Sequence, residues 1–407
     1  MNLRLAALAM LNLIVISSPA IADPDPAAPA GGAPPVKIGI LTDETGPYAA
    51  NGGLGNVAVA RMAVADYGGA VLGRPILLQD ADHKNDPAVG SAILKQWFDE
   101  AGVDAVAGLS TSNVALAAQD IARPRGKTLL IAGAPDSDLT GKACSATSSQ
   151  WAEDTYALAR ATTEAVVQSG GDSWFFLTVD YAFGIAMERD AIEAVKSQGA
   201  LVLGRVRHPL ATADFSSYLT LAKASQAKII GLANAGMDTI TAIRQASVPG
   251  ALTPRQSLAG LLVYITDVDA VGLAAAQRLY VTEGFYWDQN DASRAFAKRF
   301  NAELHHMPTK QQAATYASIL HYLKAADAAG TMDGPAVNAR MRAMPVDFFG
   351  RAGSIRPDGR VLYDLTLYQV KSPAESQYAW DYYKKVRDIP AAEAFRPLAE
   401  GGCPLVQ

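Results

Sequence analysis

The chain has 407 residues, with 35 Lys+Arg, 40 Asp+Glu, 5 His and 2 Cys. Half of it is hydrophobic and 18% is charged, which excludes a disordered chain, since disorder needs low hydrophobicity and high net charge. A net charge of −5 lacks the basic excess of a nucleic-acid binder, and two cysteines cannot build a zinc-finger site or a disulfide-dense scaffold.

Arg4 precedes an apolar run, Leu5 to Ile16, and an A-x-A exit at Ala20-Ile21-Ala22. That is the pattern of a secretory signal peptide cut after Ala22. The run falls short of the roughly 20 apolar residues that a spanning helix needs. The mature protein is therefore expected in the periplasm, as a soluble monomer. Residues 23–35 are Pro, Ala and Gly with two Asp, a flexible leader.

A regular alternation follows. Val36–Leu41 reads as a strand and Leu54–Tyr67 as a helix ended by Gly68-Gly69. Pro75–Gln79 reads as a strand and Pro87–Glu100 as a helix. Ala105–Leu109 is a strand, Asn113–Ala122 a helix and Thr128–Ala132 a strand. The alternation restarts after Trp151. Helices are expected over Asp154–Gln168, Gly184–Ser197, Phe215–Ala224 and Thr239–Ala246. Strands are expected over Trp174–Val179, Leu201–Val206, Lys228–Leu232 and Leu258–Val263. Beyond these, Leu279–Trp287 and Val361–Val370 read as strands, and Thr309–Ala329 contains a helix. Strands separated by helices imply parallel sheets built from βαβ units, here in two α/β blocks. The blocks also look alike. Gly69-Ala70-Val71-Leu72-Gly73-Arg74 resembles Gly199-Ala200-Leu201-Val202-Leu203-Gly204-Arg205, and Gly108-Leu109 matches Gly231-Leu232.

Phosphate-loop, nucleophile-elbow, H-E-x-x-H and C-x-x-C motifs are missing from the sequence. His305-His306 is an adjacent pair whose rings diverge on a helix. Asp80, Asp82 and His83 run into Asn85-Asp86-Pro87, which reads as a helix start. No enzyme, cofactor or metal site is therefore expected. In an exported chain the even pair Cys144 and Cys403 reads as a structural disulfide. A reactive thiol would want a nearby His, and Cys144 has only Lys142 close in sequence.

In an open parallel sheet, ligands bind beyond the carboxyl ends of the strands. Those positions hold Tyr48 and Asn51 after the first strand, then Ser110, Thr111 and Ser112. Next come Ala134 and Asp136. In the second block they hold Phe183, Asn234, Asp238, Thr266 and Asp267. The same residue types cap helices, so each stays open between ligand contact and cap.

The opening VKIGILTDETGPYAANG, the segment KTLLIAGAPDSDLTGKACS, the DYAFG turn and the end FRPLAEGGCPLV resemble one family. It is the substrate-binding proteins of branched-chain-amino-acid-type ABC transporters, the type I periplasmic binding fold. The DLTGKAC and GCPLV segments resemble a subgroup that includes binders of aromatic acids. The resemblance implies two doubly wound parallel-sheet lobes joined by a three-strand hinge. Residues 36–150 and 288–365 would form one lobe, and 151–287 and 366–407 the other. It also implies a small-molecule solute and an inner-membrane ABC permease as partners, with no nucleic acid.

By the same resemblance Ser110, Thr111 and Ser112 would hold a carboxylate, with Ala134 and Asp136 beside them. Asp136 departs from the usual Ser or Thr. Phe183 stands where amino-acid binders often carry Tyr, and no aromatic stands at Ala235 or Gly236. The acid that holds an α-ammonium would fall near Thr266 or Asp267. Trp287 would wall the cleft or join the core. The expected ligand is an aromatic or other organic acid. A branched-chain amino acid and the role of a sensory receptor ectodomain are the alternatives.

Overall fold

The structure is a computed structural model that describes residues 33–406. The signal segment and residues 23–32 of the leader lie outside the described residues. Strand β1 (Val36–Thr42) lies inside a six-stranded sheet with β2 (Ala70–Val71), β3 (Arg74–Asp82), β4 (Ala105–Gly108), β5 (Thr128–Ile131) and β6 (Ser148–Gln150). The order is β2-β3-β1-β4-β5-β6, with β2 antiparallel to β3 and every other pair parallel. Helices α1 (Gly53–Tyr67), α2 (Pro87–Gln96) and α3 (Ser112–Ala122) form the crossovers. Every residue of β4 and β5 is buried, as expected where helices cover both faces of a parallel sheet.

Helix α4 (Thr155–Gln168) leads into a second sheet. Its strands β7 (Ser173–Val179), β8 (Leu201–His208), β9 (Ile229–Ala233) and β10 (Ser257–Gly260) are all parallel, in the order β10-β9-β7-β8. Helices α5 (Ala182–Ser197), α6 (Ser216–Ala224) and α7 (Gly236–Ala246) connect them. In the first sheet β1 lies between β3 and β4, and in the second β7 lies between β8 and β9, so the order matches once the two-residue β2 is set aside. The shared order agrees with the internal likeness of the two blocks. Gly69 and Gly199, matched in sequence, hold φ of 76° and 74°. A side chain with Cβ is disfavoured there, so glycine recurs where each helix hands over to its strand.

The rest of the chain serves both sheets. Helices α8 (Ile265–Val271) and α9 (Leu273–Ala276) and strand β11 (Tyr280–Glu283) follow β10. Then come α10 (Asp291–Leu304), α11 (Lys310–Ala329) and α12 (Gly334–Ala343). Phe296, Phe300, Ala313 and Leu323 of these helices share one core with Ile38, Val59 and Ala60. Strands β12 (Val346–Phe348), β13 (Arg351–Ile355) and β14 (Val361–Leu362) make a small antiparallel sheet. Strands β15 (Leu365–Val370) and β16 (Tyr383–Ile389) join β11 in another. Val281, Tyr368, Val370 and Tyr383 pack in the second sheet's core, with Leu177 and Leu232. The chain crosses between the two cores after β6, after β11 and along β15, whose Leu365 and Leu367 join the first core while Tyr368 and Val370 join the second.

The tail departs from its expected place. The family resemblance puts residues 366–407 in the second lobe; Tyr368, Val370 and Tyr383 pack in the second core, while Leu367 and Ile389 pack in the first. Ala394 and Phe395 also join the first core. Cys403 is bonded to Cys144, with Cα atoms 5.6 Å apart. The aromatic ring of Phe395 and the covalent link draw the tail back across the chain.

Several expected elements differ in extent. Pro87–Glu100 ends as a helix at Gln96 and continues as a π turn over Trp97–Ala101. Leu279–Trp287 stops as a strand at Glu283, because the Gly284 N–H is taken by the Glu153 carboxylate. Val361–Val370 breaks at Tyr363-Asp364, since β14 pairs with β13 while β15 pairs with β11 and β16. Leu258–Val263 ends at Gly260, and Leu261 to Val263 form a loop at the strand end.

Candidate functional site

The carboxyl ends of the two sheets face each other across a cleft. After β1, Asp43 accepts from the N–H groups of Gly46 and Tyr48, both at 3.0 Å. That turn swings Tyr48 over the cleft. Thr42 Oγ1 and Ser110 Oγ lie 2.7 Å apart, and Asn56 Nδ2 donates to Thr42 Oγ1 at 3.1 Å. Gln311 Nε2 donates to Ser110 Oγ at 2.8 Å. Gln311 is placed by a capping box at the start of α11. There Thr309 N donates to Gln312 Oε1 at 2.9 Å, and Thr309 Oγ1 accepts from Gln312 N at 3.2 Å. Such a box fixes the helix start by about 1 kcal/mol. Thr309 Oγ1 also donates to the Asn51 carbonyl at 2.6 Å, which ties α11 to the Tyr48 loop.

Helix α3 begins at Ser112 with Thr111 as its N-cap residue, and Thr111 makes no side-chain cap bond. Its hydroxyl is buried and unpartnered, as is Asn51 Oδ1. Unsatisfied backbone N–H groups and the helix dipole make such a terminus favour an anion. On the other side, the Tyr181 hydroxyl donates to the Tyr48 hydroxyl at 2.7 Å. The Tyr181 ring lies 6.5 Å from Tyr48 and 6.0 Å from Phe183. Burial pushes the Tyr48 and Tyr181 phenols well up, so both stay protonated donors.

A cavity of about 20 Å³ remains between these groups. Of the residues expected from the sequence, Tyr48, Asn51, Ser110, Thr111, Ser112 and Phe183 line it. Gly133, Pro135, Tyr181, Ala235, Leu262, Tyr264 and Gln311 line it as well. Tyr181 and Tyr264 stand in strand-end loops that are legible in the sequence, yet neither is among the expected contacts. Gln311 carries no such signal, because its reach depends on how α11 packs.

The other expected site residues lie off the cavity. Ala134 is buried, and its carbonyl accepts from Gln150 Nε2 at 2.9 Å. Asp136 caps the short turn Ser137–Thr140, accepting from Asp138 N at 2.9 Å, and burial pushes its carboxyl up to about 6. Asn234 Nδ2 lies 3.0 Å from His208 Nε2, and its Oδ1 accepts from Thr239 Oγ1 at 2.7 Å. Asp238 clamps the turn before α6 through the N–H groups of Ala211 and Thr212. Thr266 has a buried hydroxyl without a partner. Asp267 closes the start of α8 on Tyr264 N at 2.9 Å and reaches the cleft only through Asn51, at 3.3 Å. Burial pushes Asp267 up to about 6. Trp287 lies in an aromatic cluster instead, 6.0 Å from Tyr286 and 6.2 Å from Tyr378, donating to the Trp380 carbonyl at 3.0 Å. For Asp136, Asn234 and Asp238 the capping and bracing roles prevail, because each carboxylate or amide has local N–H or O–H partners.

Among the described residues no group of three or more His, Cys, Asp or Glu is placed to hold a metal ion. No helix among them is long and apolar enough to cross a membrane.

Two parallel α/β sheets with a hydroxyl- and ring-lined cleft at their facing strand ends define a solute-binding protein of the type I periplasmic fold. A sequence profile of periplasmic binding proteins matches residues 35–376, and the chain belongs to that family. Its members serve ABC transporters as the solute-binding component, working with membrane permeases. A periplasmic binding protein from Burkholderia mallei is 44% identical, with a TM-score of 0.90 over 92% of this chain and 100% of its own. A branched chain amino acid ABC transporter periplasmic ligand-binding protein from Burkholderia xenovorans is 34% identical. It has a TM-score of 0.82 over 91% and 100% of the two chains. An ABC-transporter solute binding protein from R. palustris, solved with benzoate, shares the fold at 19% identity. Its TM-score is 0.80 over 91% and 99%. No curated protein matches the chain in sequence.

Proposed function

We propose that the protein is an exported receptor that delivers a small aromatic carboxylic acid to an inner-membrane ABC permease. The observation that carries this is the chemistry of the cavity lining. It holds hydroxyls, a helix start and the rings of Tyr48, Tyr181, Phe183 and Tyr264, with no acidic side chain among the described residues. An α-ammonium group would meet no free counter-charge there, since Asp267 is already engaged by Asn51 and Tyr264. A ligand carboxylate would take the unpartnered Thr111 hydroxyl and the α3 terminus. Its ring would lie among the aromatic side chains, where each pair adds about 0.5–1.5 kcal/mol beyond area burial. The R. palustris relative, solved with benzoate, supports the reading.

Calorimetry with benzoates, hydroxybenzoates, leucine and valine tests it. Benzoate-class acids are expected to bind, and Phe183→Ala to weaken them by more than tenfold. Tight leucine or valine binding with no aromatic acid bound would sink the proposal in favour of an amino-acid receptor.

In this reading residues 36–150 with 288–365 and residues 151–287 with 366–407 form lobes that close over the solute as a monomer. Export requires removal of residues 1–22. N-terminal sequencing of the periplasmic protein is expected to start at Asp23. An intact Met1 in the membrane fraction would contradict that.

A further inference from the structure

One layer behind the cleft lies a sealed set of charges on the segments that join the two cores. Glu153 sits on the first connection, Glu283 at the start of the second, and Lys310 at the first turn of α11. None is more than 4% exposed. Lys310 Nζ lies 3.4 Å from Glu283 Oε1 and donates to the Thr282 carbonyl at 2.9 Å. It stands 5.4 Å from the centre of the Tyr264 ring, whose other surroundings include the cleft. Glu153 accepts from Gly284 N, and Glu283 Oε1 has no hydrogen bond.

The charges around Glu283 do not balance. Among the described residues Lys310 is the ammonium beside it, while Glu153 and Asp267 face it as carboxylates. Tyr264, Tyr368 and Tyr383 face it as buried phenols. Arg360 lies 3.7 Å from Asp154 and donates to the Ala152 carbonyl, and its charge also acts on Glu153. Arg351 is committed to the carbonyls of Gly284 and Asp364. Lys310 is the cation that acts on both Glu283 and Asp267, and one buried ammonium cannot fully compensate two buried carboxylates.

We propose that the Glu153–Glu283–Lys310 cluster makes binding of an anionic solute take up a proton. The inference rests on the acid-binding reading of the cleft. A ligand carboxylate at Thr111 and the α3 start adds negative charge to the cavity that Asn51 and Tyr264 also line, one layer from the cluster and in a medium that screens poorly. Burial, opposed by Lys310, already pushes Glu283 up to about 8. Another anion raises it further, so the complex holds more protons than the free protein where Glu283 is partly ionised. By linkage, affinity for the acid falls as pH rises through that window. One coupled proton limits the fall to about tenfold per pH unit.

The test is calorimetry of the intact protein with benzoate at pH 8, in phosphate and in Tris. The slope of apparent enthalpy against buffer ionisation enthalpy is expected to give a net uptake of a substantial fraction of one proton. Affinity is expected to fall about threefold to tenfold between pH 7 and 9. Glu283→Gln, which mimics the protonated side chain, should abolish the uptake and flatten the pH profile. Binding with a buffer-independent enthalpy in the unaltered protein would overturn this inference alone, whatever becomes of the variant. Uptake that persists in a folded Glu283→Gln protein would overturn it too. Absence of any binding of aromatic acids would overturn the reading of the cleft itself.

Discussion

Removing the disulfide by Cys144→Ser with Cys403→Ser is expected to lower stability by up to about 5 kcal/mol. The bond closes a loop of 259 residues. In the chain-entropy picture, opening so long a loop gives the unfolded chain that much additional freedom. For a chain of this size, with an unfolding entropy of about 2.1 cal/mol/K per residue, the loss corresponds to a fall in melting temperature of up to about 6 °C. Native contacts of the tail offset part of it. The Arg396 side chain donates to the Ser137 carbonyl at 2.9 Å, and its own carbonyl accepts from Arg356 at 2.7 Å. The Arg360 guanidinium stands 4.8 Å from the Phe395 ring. Thermal unfolding with and without reductant, beside the double variant, measures the effect. Reduced protein and variant should agree, and a shift below about 2 °C would show that the tail contacts alone hold the end in place.

Ser110→Asp is expected to weaken aromatic-acid binding at least a hundredfold. Ser110 Oγ touches Thr42 and Gln311 inside the group that would hold the carboxylate. A second anion there would stand about 4 Å from the ligand's, and at an effective dielectric constant of 20 that repulsion is about 4 kcal/mol. The calorimetric affinity for benzoate is the measurement, with circular dichroism to verify the fold. Retention of affinity within fivefold would remove Ser110–Ser112 from the carboxylate site.

Much of the α/β frame is legible in the sequence because its signals are local. Apolar runs such as Thr128–Ile131, glycines after helices, and the Asp86-Pro87 start of α2 each act over a few residues. Helix α10 carries equally local signals, although it falls outside the expected elements. Asn290 and Ser293 make its capping box, and Phe296, Ala297 and Phe300 share a buried face. Strand β16 is harder, since Lys384, Lys385, Val386 and Asp388 are exposed and its stretch looks like a polar loop. In the site, the residues after β1, β4 and β7 are predictable from topology. The parts that are not, Gln311 above all, come from elements distant in sequence. Whether a polar side chain faces a cleft or a neighbouring N–H is also settled by packing, as Asp136 and Asp238 show.

The hydroxyl bond between Tyr48 and Tyr181 has a kinetic consequence. The two phenols satisfy each other across a cavity with room for little more than one water. No ring can slip into a space of that size. Each capture must wait for the phenols to part, so association is gated by the opening frequency and falls below the diffusion limit. Once inside, a solute that offers the separated hydroxyls an acceptor restores what was broken, whereas a plain hydrocarbon leaves two buried O–H groups unmet. The tyrosine pair therefore filters solutes by what they give back, before any question of how well their rings fit.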